Sequence, residues 1–159
     1  MQELQVQIDF DRFPERYTCD GEDISPGITI QGLNEPYIAV IMDDPDNPGG
    51  RFTHWLIWNV KATDRIPEGI PPQNRIEHPI AAVQGMNDFR RVGYGGPCPS
   101  RGELHRYVIR VYGVKTELEL PPGAARIDLE DVLKATATQY GETAAVCERK
   151  EVLATPGSL

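Results

Sequence analysis

Tyr37-Ile38-Ala39-Val40-Ile41-Met42-Asp43-Asp44-Pro45-Asp46-Asn47-Pro48 decides the architecture of this chain. Its apolar run lacks the alternation of a half-exposed strand, so positions 37–42 read as a central strand buried on both faces. The run then stops on carboxylates and prolines. His54-Trp55-Leu56-Ile57-Trp58-Asn59-Val60 repeats the pattern, with a second doubly buried strand over 55–60. A third strand, Tyr107–Val114, follows Gly93-Tyr94-Gly95-Gly96-Pro97-Cys98-Pro99-Ser100 and is opened by His105-Arg106. Alternate residues of a strand share a face, so His105, Tyr107, Ile109 and Val111 point one way. Arg106 points the other way and is expected in a structural ion pair within the loop.

Outward from these three strands, alternation at Leu4, Val6, Ile8 and Phe10 predicts a first strand. Short strands are expected over Ile28–Gln31 and Ile80–Val83, separated by turns at Pro67, Gly69, Pro71 and Pro72. Residues 85–104 read as a long loop, and such loops in compact domains are usually functional. One helix is expected from the spacing of Leu129, Val132, Leu133, Ala137 and Tyr140, capped by Asp128 and stopped by Gly141. The tail Ala144–Val152 reads as a last strand. Many strands, Gly/Pro turns and one late helix predict a mainly β protein, a β-sandwich with a peripheral helix. The 159 residues suit a single domain over 1–159, a size that buries about 70% of its unfolded surface.

The net charge of −8 argues against a nucleic-acid or anionic-membrane binder, which would need a basic face. No stretch approaches the roughly 20 apolar residues of a membrane span. The N-terminus alternates where a signal peptide would be continuously apolar. Cys19, Cys98 and Cys147 are odd in number and widely spaced, which suits a reducing cytoplasm and supplies no zinc pattern. A Cys19–Cys98 bridge stays open for a hyperthermophilic source.

Asp44, His54, His105 and Tyr107 all fall at ends of central strands, and they are expected to converge in one pocket. Two imidazoles and a phenol are donors for a phosphate or carboxylate. Gly95 and Gly96 let backbone N–H groups approach an anion, with Pro97 and Pro99 as a stiff wall. Asp44 would repel an anion, so its expected work is to orient a histidine or to accept from an ammonium. Each residue alone has a structural reading: turn chemistry for the acids, a satisfied core position for His54, a strand aromatic for Tyr107. Their coincidence at three strand ends favours a binding site. A cationic histidine anchor would make anion binding strengthen as pH falls through about 7.

Other candidates carry less. His78 reads as a surface turn, and Trp55 and Trp58 as core. Asp20-Gly21-Glu22-Asp23 lacks EF-hand spacing and reads as a turn bracing the pocket. Cys98 with His105 could make a thiol hydrolase, but Cys98 lies between prolines without a cationic setting. His54, His105 and Asp44 could hold a metal, but none stands at the short spacing of metal sites. No cofactor is expected, and the reading is of a binder rather than an enzyme.

Asp44-Pro45-Asp46-Asn47-Pro48, Thr53-His54-Trp55 and Gly96-Pro97-Cys98-Pro99 with His105-Arg106-Tyr107 together resemble the phosphatidylethanolamine-binding protein family, also called the Raf kinase inhibitor protein family. Tyr17-Thr18-Cys19-Asp20-Gly21-Glu22-Asp23-Ile24-Ser25-Pro26 and Gln84-Gly85-Met86-Asn87-Asp88-Phe89 extend the resemblance, in the family's order, over nearly the whole chain. It implies a Greek-key-type sandwich, a large sheet on a smaller one, with the ligand pocket at one edge. Asp44, His54, Pro99, His105 and Tyr107 match the family's pocket positions. The resemblance further implies a small anionic or phospholipid-headgroup ligand, a kinase or protease as regulated partner, and a homodimer. A surface-loop protease inhibitor with a vestigial pocket is the alternative. A cis-proline near the acidic loop is also implied, and Asn47–Pro48 is the expected bond. Three departures stand out: Ser100 in place of a proline, no tryptophan after Ser25-Pro26, and Thr138-Gln139 where a third imidazole would reach the pocket rim.

Overall fold

The computed structural model describes residues 1–151. In chain order its elements are β1 (Gln2–Glu3), β2 (Gln5–Gln7), β3 (Ile28–Gln31), β4 (Tyr37–Asp44), β5 (Phe52–Lys61), β6 (Arg65–Ile66), β7 (Arg75–Ile76), β8 (Ala82–Gln84), β9 (Leu104–Val114), α1 (Arg126–Thr136) and β10 (Ala137–Glu148). A seven-stranded sheet runs β1-β10-β9-β4-β5-β8-β7, and a three-stranded sheet runs β2-β3-β6. Only β1–β10 pair in parallel within the large sheet. The architecture is therefore mainly β, with two sheets and one helix.

Both faces of the central strands are apolar because each covers a different layer. Ile38, Val40, Met42, Trp55, Ile57, Ile109 and Val111 pack towards the small sheet with Ile28, Ile30 and Ile66. Ala39, Ile41, Leu56 and Trp58 pack with Leu129 and Leu133 of α1. Trp55 and Trp58 are both core, with their indole N–H groups satisfied by Gln84 Oε1 at 2.8 Å and the Leu120 carbonyl at 3.3 Å. The same alternation splits two adjacent carboxylates. Asp43 faces the helix layer and accepts from Arg51 Nε at 2.9 Å and Arg110 Nε at 2.8 Å. Asp44 faces the other way.

Several expected boundaries move. The first strand is two strands: the Leu4 N–H bonds the Tyr140 carbonyl at 2.8 Å, and the chain passes there from the large sheet to the small one. Asp128, the expected cap, sits instead in the first turn of α1, three residues inside the observed N-cap Ala125, whose N–H its carboxylate accepts at 3.4 Å. The helix ends at Thr136, and Ala137–Tyr140 are strand instead. Pairing of Ala137 with Val114 and of Tyr140 with Tyr112 overrides the local spacing. Gly141 is needed inside that strand because a Cβ there would run into the Leu4 carbonyl. The last strand thus starts earlier than Ala144 and ends at Glu148; Val152 lies outside the described residues. The strand expected at Ile80–Val83 is Ala82–Gln84.

The cis bond expected at Asn47–Pro48 is instead His78–Pro79. Pro48 occupies the second position of a turn closed by Gly50 N–H to Asn47 O at 3.0 Å, where a trans proline's fixed φ suffices. His78 is exposed there, as expected of a turn. Arg106 is exposed and forms no ion pair among the described residues; its backbone N–H bonds Asp46 Oδ2 at 3.2 Å. Cys19 and Cys98 form a disulfide that closes 79 residues, while Cys147 is a buried free thiol. That pairing removes the ground for reading the cysteines as reduced. It also removes the thiol-hydrolase reading, since a bridged Cys98 supplies no thiolate.

Candidate functional site

A β-bulge delivers the first imidazole. Between the pairs Met42–Trp55 and Asp43–Thr53, β5 carries one residue more than β4, and that residue is His54. Strict alternation would send His54 to the helix layer with Leu56 and Trp58. The extra residue turns it onto the face of Trp55 instead, where its ring meets Tyr107 edge-on with centroids 5.2 Å apart. His54 then locks the glycine loop in two directions. Its Nδ1–H donates to the Gly95 carbonyl at 2.6 Å, and its own carbonyl accepts from the Gly95 N–H at 2.9 Å. A carbonyl can only accept, so neutral His54 keeps its proton on Nδ1 and presents Nε2 as an acceptor. Burial pushes its pKa down against weaker raising contributions, first the Gly95 bond and then Asp44.

The second imidazole is shifted in the opposite direction. His105 Nδ1 lies 2.6 Å from Asp44 Oδ2, and Nε2 lies 3.4 Å from Glu103 Oε1. Burial alone would lower this pKa, but Asp44 and then Glu103 push it up on balance. Asp44 is itself fixed, because its other oxygen accepts from the Asp46 N–H at 2.8 Å. The acid therefore orients a histidine, one of its two expected tasks. Tyr107 stacks on His105 with centroids 6.3 Å apart. Burial and the charge of Asp44 push its phenol up, so the hydroxyl remains a donor. Only 1% of Tyr107 is exposed, and its hydroxyl has no partner among the described residues.

Asp44, His54, His105 and Tyr107 line one cavity of about 150 Å³, with Pro99, Ser100, Cys98, Asn47, Pro48 and Glu103 around its rim. At about 30 Å³ per liquid water, that is room for a group of a few heavy atoms. Pro97 is not in the lining. It is buried, and its carbonyl accepts from the Cys19 N–H at 3.2 Å, so it seats the wall without touching the space. Asp23 braces the same wall, accepting from the Gly96 N–H at 2.8 Å. Gln139 lies away from the rim: it bonds Asn34 N–H and the Gly32 carbonyl, at the far end of β10 from His105. The expected loss of a rim imidazole there is therefore overturned.

Among the lining groups that sequence reasoning missed, Phe52, Phe89 and Glu103 bear most on the chemistry. Phe52 and Phe89 form an aromatic wall, 4.8 Å apart and 5.1 and 5.4 Å from the His54 ring. Phe89 arrives through Asp88, whose side chain and N–H bond the backbone of Thr53, a contact no spacing announces. Glu103 was legible: it precedes His105 by two and so shares its face. Among the described residues no three His, Cys, Asp or Glu side chains are grouped as metal ligands. Among the same described residues no helix is long and apolar enough to cross a membrane.

The sequence model described as phosphatidylethanolamine-binding protein matches residues 5–148. A UPF0098 protein of Pyrococcus horikoshii is 49% identical over 140 residues, 86% of this chain and 71% of that protein. The crystal structure of Escherichia coli YbcL, described as a new member of the mammalian PEBP family, superposes with a TM-score of 0.83 at 28% identity, covering 92% of this chain and 99% of that one. A putative PEBP homologue from Chlamydia trachomatis gives a TM-score of 0.82 at 25% identity, over 94% and 100% of the two chains.

Proposed function

The chain belongs to the phosphatidylethanolamine-binding protein family, and from that premise we propose that it is a binding protein whose small cavity takes an anionic group, a phosphate or a phospholipid headgroup. One observation carries the reading: Tyr107, whose hydroxyl bonds no other described residue, lines the same cavity as His105, whose cationic form is favoured by Asp44 at 2.6 Å. A protonated imidazole and a phenol are hydrogen-bond donors, and both can donate to a ligand that enters the cavity. Pro99 and the aromatic wall exclude water on two sides, which strengthens those bonds. His54, neutral and already committed to Gly95, contributes shape and an acceptor rather than charge.

The same proposal includes a regulatory role towards a kinase or protease, action as a homodimer, and no catalytic turnover. Location in the cytoplasm is part of it too. That requires the disulfide to survive there, as bridges do in intracellular proteins of hyperthermophiles.

The test is the affinity of phosphoethanolamine, measured calorimetrically at pH 7, for the unaltered protein, His105→Gln and Tyr107→Phe. A charge-assisted bond contributes about 1.5–3 kcal/mol, so His105→Gln should weaken binding about ten- to a hundredfold. Tyr107→Phe, losing a neutral donor, should weaken it about two- to tenfold. Unchanged affinity in both variants would sink the reading. Vesicles with and without phosphatidylethanolamine separate a lipid headgroup from the free anion: co-sedimentation only with the lipid present assigns the headgroup.

A further inference from the structure

Glu103 stands where nothing in an anion pocket should. It is the residue two before His105 on one strand face, it lines the cavity, and its Oε1 lies 3.4 Å from His105 Nε2. That nitrogen is the one His105 donor left over, because Nδ1 is committed to Asp44 at 2.6 Å. The two carboxylates differ in how they are held. Asp44 is buried and accepts a second bond from the Asp46 N–H. The Glu103 side chain is 39% exposed and makes no other side-chain bond among the described residues. Its backbone sits at the end of a tight turn, with Glu103 N–H on the Ser100 carbonyl at 3.0 Å and Gly102 at φ 85°. The side chain can thus rotate out to solvent without disturbing Asp44, His105 or the strand.

We propose that Glu103 is an internal occupant of the anion subsite: its carboxylate takes the His105 donor that an incoming anion needs, and a ligand binds by displacing it. This rests on the anion-pocket reading and deepens it. With Glu103 in place the two carboxylates outnumber the one cationic imidazole, so the unliganded cavity is closed to weakly bonding anions such as chloride. A ligand that offers more acceptors than one carboxylate oxygen, as the tetrahedral oxygens of phosphate and sulfate do, can bond both His105 and Tyr107 and win the exchange. Glu103 then acts as a specificity-determining residue for oxyanions with several acceptors, and it sets affinity by competition.

The experiment uses inorganic sulfate, whose charge is fixed across the pH range, on the full chain at pH 7. Calorimetry is run on the unaltered protein, Glu103→Gln, His105→Gln and the double variant. Glu103→Gln should bind sulfate about three- to tenfold more tightly, since removing a partly exposed competitor and its charge is a change of roughly 1 kcal/mol. The gain should vanish in the His105→Gln background, because the competition is for that residue's nitrogen. Without ligand, the His105 ring signals should titrate at lower pH in Glu103→Gln than in the unaltered protein. If Glu103→Gln gives no gain, or the same gain when His105 is absent, the inference is overturned while the anion pocket stands. If His105→Gln leaves sulfate binding unchanged, the pocket reading itself falls, and the inference with it.

Discussion

The two pocket histidines are chemically opposite, and the difference is set by one bond each. His54 gives its proton to a carbonyl, which favours the cation less than burial disfavours it, so burial decides and the pKa goes down. His105 faces carboxylates, which favour the cation, so the pKa goes up. Nuclear magnetic resonance titration should therefore show His105 changing charge above the ordinary value of about 6.5 and His54 below it. The stability consequences have opposite signs. The His105 contribution is fully present below pH 6.5, its unfolded value, and is lost as pH rises through its raised folded value. The His54 contribution is present above about 6.5 and is lost as pH falls towards its lowered one. Denaturant unfolding across pH 5 to 9 should thus show His105→Gln removing part of the alkaline decline and His54→Gln part of the acid decline. Of the two imidazoles open to the role of cationic anchor, the directions of these shifts favour His105, so the proposed anion binding should follow that residue near neutrality. If both rings titrate together near 6.5, the assignment of charge in the pocket is wrong.

The element that shapes the pocket is the 85–104 loop, and it holds its form through outside attachments. Gly95 is tied to His54, Gly96 to Asp23, Pro97 to the Cys19 N–H, and Cys98 to Cys19 covalently. In the chain-entropy account, closing 79 residues removes denatured-state freedom equivalent to about 4–5 kcal/mol. Replacing Cys19 and Cys98 by Ser together should lower unfolding stability by up to about that amount, measured in urea, while Cys147→Ser lowers it far less. Equal losses in the two proteins would mean that the bridge does not form. The loop also marks how far the sequence could be read. Doubly buried strands, the strand ends and the face shared by His105 and Tyr107 follow from period-two spacing, because that spacing is a backbone property. The bulge at His54 does not follow, since it depends on how β5 registers against β4. Neither does the early end of α1, where pairing of β10 with β9 outweighs a helical spacing through Tyr140. Pro97 was read as wall and is a seat for it, because which side of a Gly/Pro loop faces the cavity is decided by distant partners.

At the scale of the whole molecule, the proposed anion pocket sits in a protein of net charge −8. Much of the positive charge near the centre is already neutralised: Arg51 and Arg110 converge on buried Asp43, and Arg51 also reaches Glu130 on α1. With the net charge at −8, the proposed attraction is assigned to donors within bonding distance of the cavity rather than to a long-range basic field. Contacts that short are little affected by salt, whereas repulsion from the surface acids acts over the Debye length, about 30 Å at 0.01 M and about 8 Å at 0.15 M. Raising ionic strength should thus remove the repulsion and keep the attraction. The affinity for sulfate, and its association rate by stopped flow, should both rise between those two concentrations when the added salt has a bulky anion that the cavity excludes. The sign is diagnostic, because a site drawing on a basic surface loses affinity under the same change. A fall in sulfate affinity with rising salt would mean that the ligand is held by the exposed arginines, away from the His105 cavity.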